Sequence, residues 1–182
     1  MEHALMTTWL DETKASFRSQ KALGDGALGQ LEDADVTLRP DPASNSIAVI
    51  VKHVRGNMLS RWTDFLRSDG EKPERDRDGE FEVEAATVAE VVRWWEQGWA
   101  VALGELEALT TEDLSREVRI RGEPHSVPRA LLRQLTHTAQ HVGQIVLLAK
   151  HARGERWRTL SIPRGGTAGF NREKGFDPGT GR

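Results

Sequence analysis

The sequence predicts an all-α fold, a bundle of four long helices with a small β-hairpin before the fourth. Four segments repeat their apolar residues at spacings of three and four, the signature of helices that bury one face. Clusters of Pro, Gly, Ser, Asn and charged residues separate them, so each helix has a place to stop. The last segment also carries His137 and His141, which leave a helix on the same face one turn apart. The chain of 182 residues suits one domain, taken here as 1–182 with 153–182 as an irregular C-terminal extension.

Composition narrows the chemistry. Cysteine is absent, so disulfides, thiolate nucleophiles and thiolate metal ligands are excluded, and any metal must sit on histidine, carboxylate or water. The 25 basic and 28 acidic side chains leave a net charge of −3, which argues against a nucleic-acid-binding surface. The opening Met-Glu-His-Ala-Leu-Met-Thr-Thr-Trp has neither a basic n-region nor a long apolar h-region, so no signal peptide is expected. The longest apolar runs, Ile47 to Val51 and Ile145 to Ala149, fall far short of the roughly 20 residues that cross a bilayer. A cytoplasmic protein with a small-molecule substrate, no membrane partner and a homodimeric assembly is the expectation.

The first helix is placed at about Thr8 to Leu31, with Thr8 as cap and Asp11 in an acidic first turn. Phe17, Leu28 and Leu31 keep helical spacing, but Gly24, Gly26 and Gly29 each cost about 1 kcal/mol relative to alanine. They mark either the close approach of another helix or an irregular end. After Pro40 and Pro42, Ser44 or Asn45 caps the second helix, which runs to about Leu66. Its core stripe is Ile47, Val51, Val54, Met58, Trp62 and Phe65. Ser46, His53, Asn57 and Ser60 gather on its flank, small and neutral where a solvated face would carry Lys and Glu, and so suggest a lined cavity.

Residues 69–80 are charged and lack large apolar groups, the composition of a mobile surface loop. A connection of that length lets the next helix run parallel to the second. Thr87 and Glu90 form a capping box for the third helix, whose stripe of Val88, Val92, Trp95, Trp99, Ala102, Leu106 and Leu109 reads as core. One short helical turn at Thr110–Leu114 is followed by alternating residues either side of a Gly122-Glu-Pro124 turn, a two-stranded hairpin. Ser126 caps the fourth helix and Pro128 sits in its first turn. Ala130, Gln134, His137, His141, Ile145 and Leu148 share one face beside an apolar arc, so the histidines look inward. Beyond Arg153 the glycines and prolines preclude a long helix. Trp157, Leu160 and Ile162 are the anchors expected there, and 175–182 is expected to be loose.

Two histidines one turn apart are half of a metal site, and His53 on the second helix is the best third donor. Neutral imidazoles with open positions suit zinc or nickel, and a metal so held can acidify a water or thiol. Protons compete for the same nitrogens, so affinity is expected to weaken below about pH 6.5. Zinc hydrolases of the His-Glu-x-x-His type carry a glutamate beside the first ligand as general base. Here that position is Thr138, which favours thiol delivery over hydrolysis. Asn57, Gln134 and Gln144 lie close enough to orient ligands or a bound cofactor or substrate.

Three stretches resemble a known group. Val51-Lys-His-Val-Arg-Gly-Asn-Met-Leu-Ser-Arg-Trp-Thr-Asp-Phe65, Gln134-Leu-Thr-His-Thr-Ala-Gln-His-Val-Gly-Gln-Ile145 and Leu160-Ser-Ile-Pro-Arg-Gly165 are similar, in this order, to motifs of the DinB-like superfamily of metalloenzyme-type proteins, in a bacterial branch. The resemblance spans nearly the whole chain. It implies a four-helix bundle in up-down-down-up order and a divalent metal, zinc or nickel, on His53, His137 and His141. His3, His125 and His151 match no ligand position. Members of the superfamily include S-transferases and isomerases that use low-molecular-weight thiols, so the resemblance implies a thiol-dependent S-transferase or isomerase. A metal-dependent hydrolase or a non-catalytic metal-binding or ligand-sensing bundle is the alternative, since a shared fold does not fix a reaction.

Overall fold

The computed structural model describes residues 1–176, so the expected loose end is outside the described residues from 177 onward. Within them the chain is helical apart from one two-stranded hairpin. Its helices are α1 (Glu2–Leu28), α2 (Asp33–Val36), α3 (Ile47–Trp62), α4 (Val88–Ala108), α5 (Val127–Arg153) and α6 (Thr167–Glu173). Strands β1 (Glu117–Ile120) and β2 (Glu123–Ser126) precede α5. The four long helices share one core, with α1 packed along α5 and α4, and α3 packed along α4 and α5. Among the described residues no helix is long and apolar enough to cross a membrane.

Helix α1 begins well before the expected Thr8. Thr8 does not cap it, because its hydroxyl donates back to the carbonyl of Ala4, four residues earlier, as the Thr7 hydroxyl does to His3. A threonine that satisfies itself within the preceding turn is compatible with a helix running through it. The glycines near the end of α1 mark close approach. A Cβ on Gly24 would collide with the indole ring of Trp95 of α4, and one on Gly26 would lie 2.8 Å from Leu160. Asp25 then accepts the Trp95 indole N–H at 2.6 Å, so glycine admits the ring and aspartate holds its polar edge. The short helix α2, closed by a reciprocal capping box between Glu32 and Asp35, is too brief to leave a periodic signal in the sequence.

Ser46, not Ser44 or Asn45, caps α3 by accepting the amide of Val49 at 3.3 Å. The capping box predicted for α4 is present, Thr87 and Glu90 each satisfying the other's backbone. Trp95 and Trp99 are buried edge to face 5.4 Å apart, as core residues. Gly98 lets α4 meet α3, since a Cβ there would lie 3.0 Å from the Arg55 Cα. The hairpin turns through Arg121 and Gly122, both with positive φ, one residue earlier than the expected Gly-Glu-Pro turn. Two central residues of that conformation match the twist of paired strands. Val118, Ile120 and His125 face inward. Beyond Gly154, Trp157 and Leu160 do pack on the core, whereas Ile162 is 41% exposed and does not join it.

The charged run departs most from expectation. Residues 69–80 are tied down along α3. Ser60 donates to the Gly70 carbonyl at 2.8 Å and accepts the Lys72 amide, and Lys72 Nζ reaches the Ser60 carbonyl at 3.0 Å. Lys52 Nζ donates to the carbonyl of Gly79 at 2.7 Å, fixing the far end, where Gly79–Phe81 form a single 3₁₀ turn. Glu80 is buried, and Glu71, Lys72 and Arg75 are half-buried against partners, while Glu74, Asp76, Arg77 and Asp78 stay exposed.

Candidate metal centre

Helices α3 and α5 are neighbours, and their facing surfaces bring His53, His137 and His141 together. His137 Nε2 lies 3.3 Å from His53 Nε2 and 3.2 Å from His141 Nε2. One donor nitrogen from each ring falls within 4.8 Å of the others. Four residues separate the α5 pair, so one helical face supplies both, and α3 supplies the third from a position 6% exposed.

The outer nitrogens fix how the inner ones are used. His53 Nδ1 lies 2.9 Å from Glu80 Oε2. Burial alone would raise the Glu80 carboxyl, but its hydrogen bonds to His53 and Arg75 outweigh that and hold it below its ordinary value. Glu80 is therefore an acceptor, His53 donates from Nδ1, and its Nε2 lone pair points at the centre. His141 Nδ1 likewise donates to Gln144 Oε1 at 2.8 Å, turning a second lone pair inward. The His137 Nδ1 is buried without a partner among the described residues. With no cation, one proton on His137 Nε2 satisfies both facing lone pairs; a cation would take that proton's place and meet three nitrogens. Zinc–nitrogen distances of about 2.0–2.1 Å set the edge of a tetrahedron at roughly 3.3–3.4 Å, close to the two spacings observed. The residues thus fit a three-histidine cation site.

Glu80 was hidden by the charged run. It is 5% exposed, and Arg75 grips it through two bonds, Nε to Oε1 at 2.8 Å and Nη2 to Oε2 at 2.9 Å. A Cβ on Gly56 would strike the Glu80 carboxylate, so that glycine, one turn from His53, makes room for it. A carboxylate behind a histidine ligand fixes the ring's orientation and raises its basicity. Of the neutral residues expected nearby, Gln144 touches a histidine directly. Gln134 donates to Asn57 Oδ1 at 3.0 Å and approaches Thr138 Oγ1 at 3.4 Å, so these line the site without bonding a ring. His125 is buried in the hairpin and His3 and His151 are exposed, all outside the cluster.

Burial pushes His137 down to about 3, and the neighbouring His141 and His53 rings add to the shift. Burial also lowers His141, against its hydrogen bond to Gln144. Proton competition therefore begins below the expected pH 6.5 at both rings, and well below it at His137. The metal-free protein should show the consequence. Its unfolded chain takes up protons near 6.5 that folded His137 refuses until about 3, so stability falls as pH is lowered through that window. We expect the urea midpoint to drop steadily from pH 6.5 towards 4.5, and His137→Gln to flatten that slope. An identical slope in wild type and variant would mean that His137 is as protonatable folded as unfolded.

A cavity of about 200 Å³ opens onto this centre, lined by His53, His137, Asn57, Gln134 and the arginines at 61, 75, 77, 121 and 133. A family model described as protein of unknown function (DUF1572) matches residues 4–166. A search of curated proteins returns no match.

Proposed function

The chain belongs to the DUF1572 family, and from that premise we propose that it is a divalent-metal-dependent enzyme, a thiol-dependent S-transferase or isomerase, with His53, His137 and His141 as the metal ligands. The observation that carries the metal is the convergence of three Nε2 atoms, two of them turned inward by Glu80 and Gln144. We further read the chain as DinB-like, its four long helices as an up-down-down-up bundle. The three sequence motifs support that reading, as does the long connection between α3 and α4, which leaves room for a parallel crossing.

A divalent cation in the centre supplies a Lewis acid that lowers the pKa of a thiol or water beside it. The protein's own part is orientation and charge. Glu80 and Arg75 hold His53, Gln144 holds His141, and the Asn57–Gln134 pair gives the cavity wall a fixed polar edge for substrate. Among the described residues the cavity lining includes no Asp or Glu, and Glu80 is committed to His53 and Arg75, so no free carboxylate stands ready to take a proton from water. A thiol needs no such base, because the surrounding guanidiniums favour its thiolate.

The reaction is tested by offering zinc- and nickel-loaded protein a generic electrophile with bacillithiol, mycothiol, glutathione and coenzyme A in turn. Metal-dependent turnover is expected with at least one of them. Asn57→Ala should keep the ion while lowering the rate. Hydrolysis of a simple ester or amide with no thiol-dependent turnover would make water the nucleophile and defeat the thiol reading.

A further inference from the structure

Five guanidiniums around a 200 Å³ cavity are more positive charge than the surroundings compensate. Glu71 contacts Arg61 at 2.9 Å, Arg121 at 3.2 Å and Arg75 at 3.7 Å, while Glu80 pairs with Arg75. Two carboxylates thus serve three arginines, and neither lines the cavity. Arg77 has only Asp78, itself 98% exposed, at 4.0 Å. Arg133 makes no ion pair among the described residues. Burial lowers Arg61 despite Glu71, with Arg75 and Arg121 pushing the same way, as expected of a cation crowded by its own kind.

We propose that this cavity binds the anionic group of the substrate, a carboxylate or phosphate, and holds the rest of the molecule towards the histidines. The placement follows from helix geometry. On α3, His53, Asn57 and Arg61 repeat every four residues along one face, and on α5, Arg133 stands one turn before His137. At 1.5 Å per residue the arginines lie about 6–12 Å along the helices from the histidines. A small molecule with its charge at one end and its reacting atom at the other spans that distance. Guanidinium suits the task because its planar fork pairs with carboxylate or phosphate through two parallel hydrogen bonds. The proposal rests on the metal reading in one respect: a divalent cation on three neutral imidazoles adds two further charges, which an anionic substrate offsets.

The test uses metal-free full-length protein, so its outcome is separable from metal binding. Equilibrium dialysis at low ionic strength measures Kd for inorganic phosphate and, in a second arm, for succinate. We expect saturable binding of at least one anion, the tighter arm identifying the group preferred. Arg77→Ala/Arg133→Ala should raise that Kd at least tenfold, and Arg133→Lys should do so less. Arg18→Ala/Arg93→Ala, which removes the same charge from exposed arginines that do not line the cavity, should leave it unchanged. Both arginines of the first pair are exposed, so the variant should melt like wild type. Equal Kd values in the two double variants, or no saturable binding of either anion by wild type, would overturn the proposal. Anion binding without any metal uptake would overturn the metal reading instead.

Discussion

His137→Ala and His141→Ala are each expected to abolish metal binding and turnover together. Apparent binding energies of about 10–16 kcal/mol for four-ligand zinc sites apportion to roughly 3 kcal/mol per ligand, so one lost imidazole weakens binding by a factor of a hundred or more. His137 is central, its Nε2 within 3.3 Å of both other ring nitrogens, and its loss leaves two donors on different helices. His125→Ala is the control, since that buried ring bonds only the Glu123 carbonyl in its own hairpin and should leave the ion in place. Calorimetric titration with zinc and with nickel measures each affinity. Unchanged affinity in His137→Ala would remove that residue from the centre.

Glu80 carries the second large effect, on stability and metal together. Glu80→Ala leaves the Arg75 guanidinium, whose side chain is 5% exposed, with only a distant 3.7 Å contact to Glu71. Stranding one partner of a buried pair costs about 3–5 kcal/mol, which should appear as a large drop in the urea midpoint. Glu80→Gln tests the site more finely. Its amide oxygen can still accept from His53, but without the charge that polarises the ring, and metal affinity should fall by about 10–100-fold with the fold retained. If Glu80→Gln binds metal as tightly as wild type, the carboxylate is structural and does not tune the centre.

How much of this was legible in the sequence differs by the range of the contact involved. His137 and His141 could be read because a four-residue spacing on one helix is local geometry, and the burial of the strip holding His53, Asn57 and Ser60 followed from its neutrality. Glu80 and Arg75 could not, because a charged loop reads the same whether its charges meet solvent or each other. The one local mark of Glu80 is Gly56, on the same helix as His53, where a Cβ would strike the carboxylate of a residue 24 positions later, and a lone glycine in a helix does not say what fills the space. The start of α1 is not legible because Thr8 qualifies equally as a cap and as a hydroxyl bonded to the preceding turn, and only the backbone before it decides. The five cavity arginines come from four separate stretches of a chain with net charge −3, so their concentration exists only in the fold.

Whether this protein holds one divalent ion on His53, His137 and His141 is decided by elemental analysis. Protein purified without a histidine tag is stripped with a chelator, freed of it, equilibrated with zinc or nickel at pH 8, desalted and measured by inductively coupled plasma mass spectrometry. We expect close to one ion per chain for wild type and almost none for a His53→Ala/His137→Ala/His141→Ala variant that remains folded. Wild type that stays empty with both metals, or a triple variant that takes up as much as wild type, would contradict it.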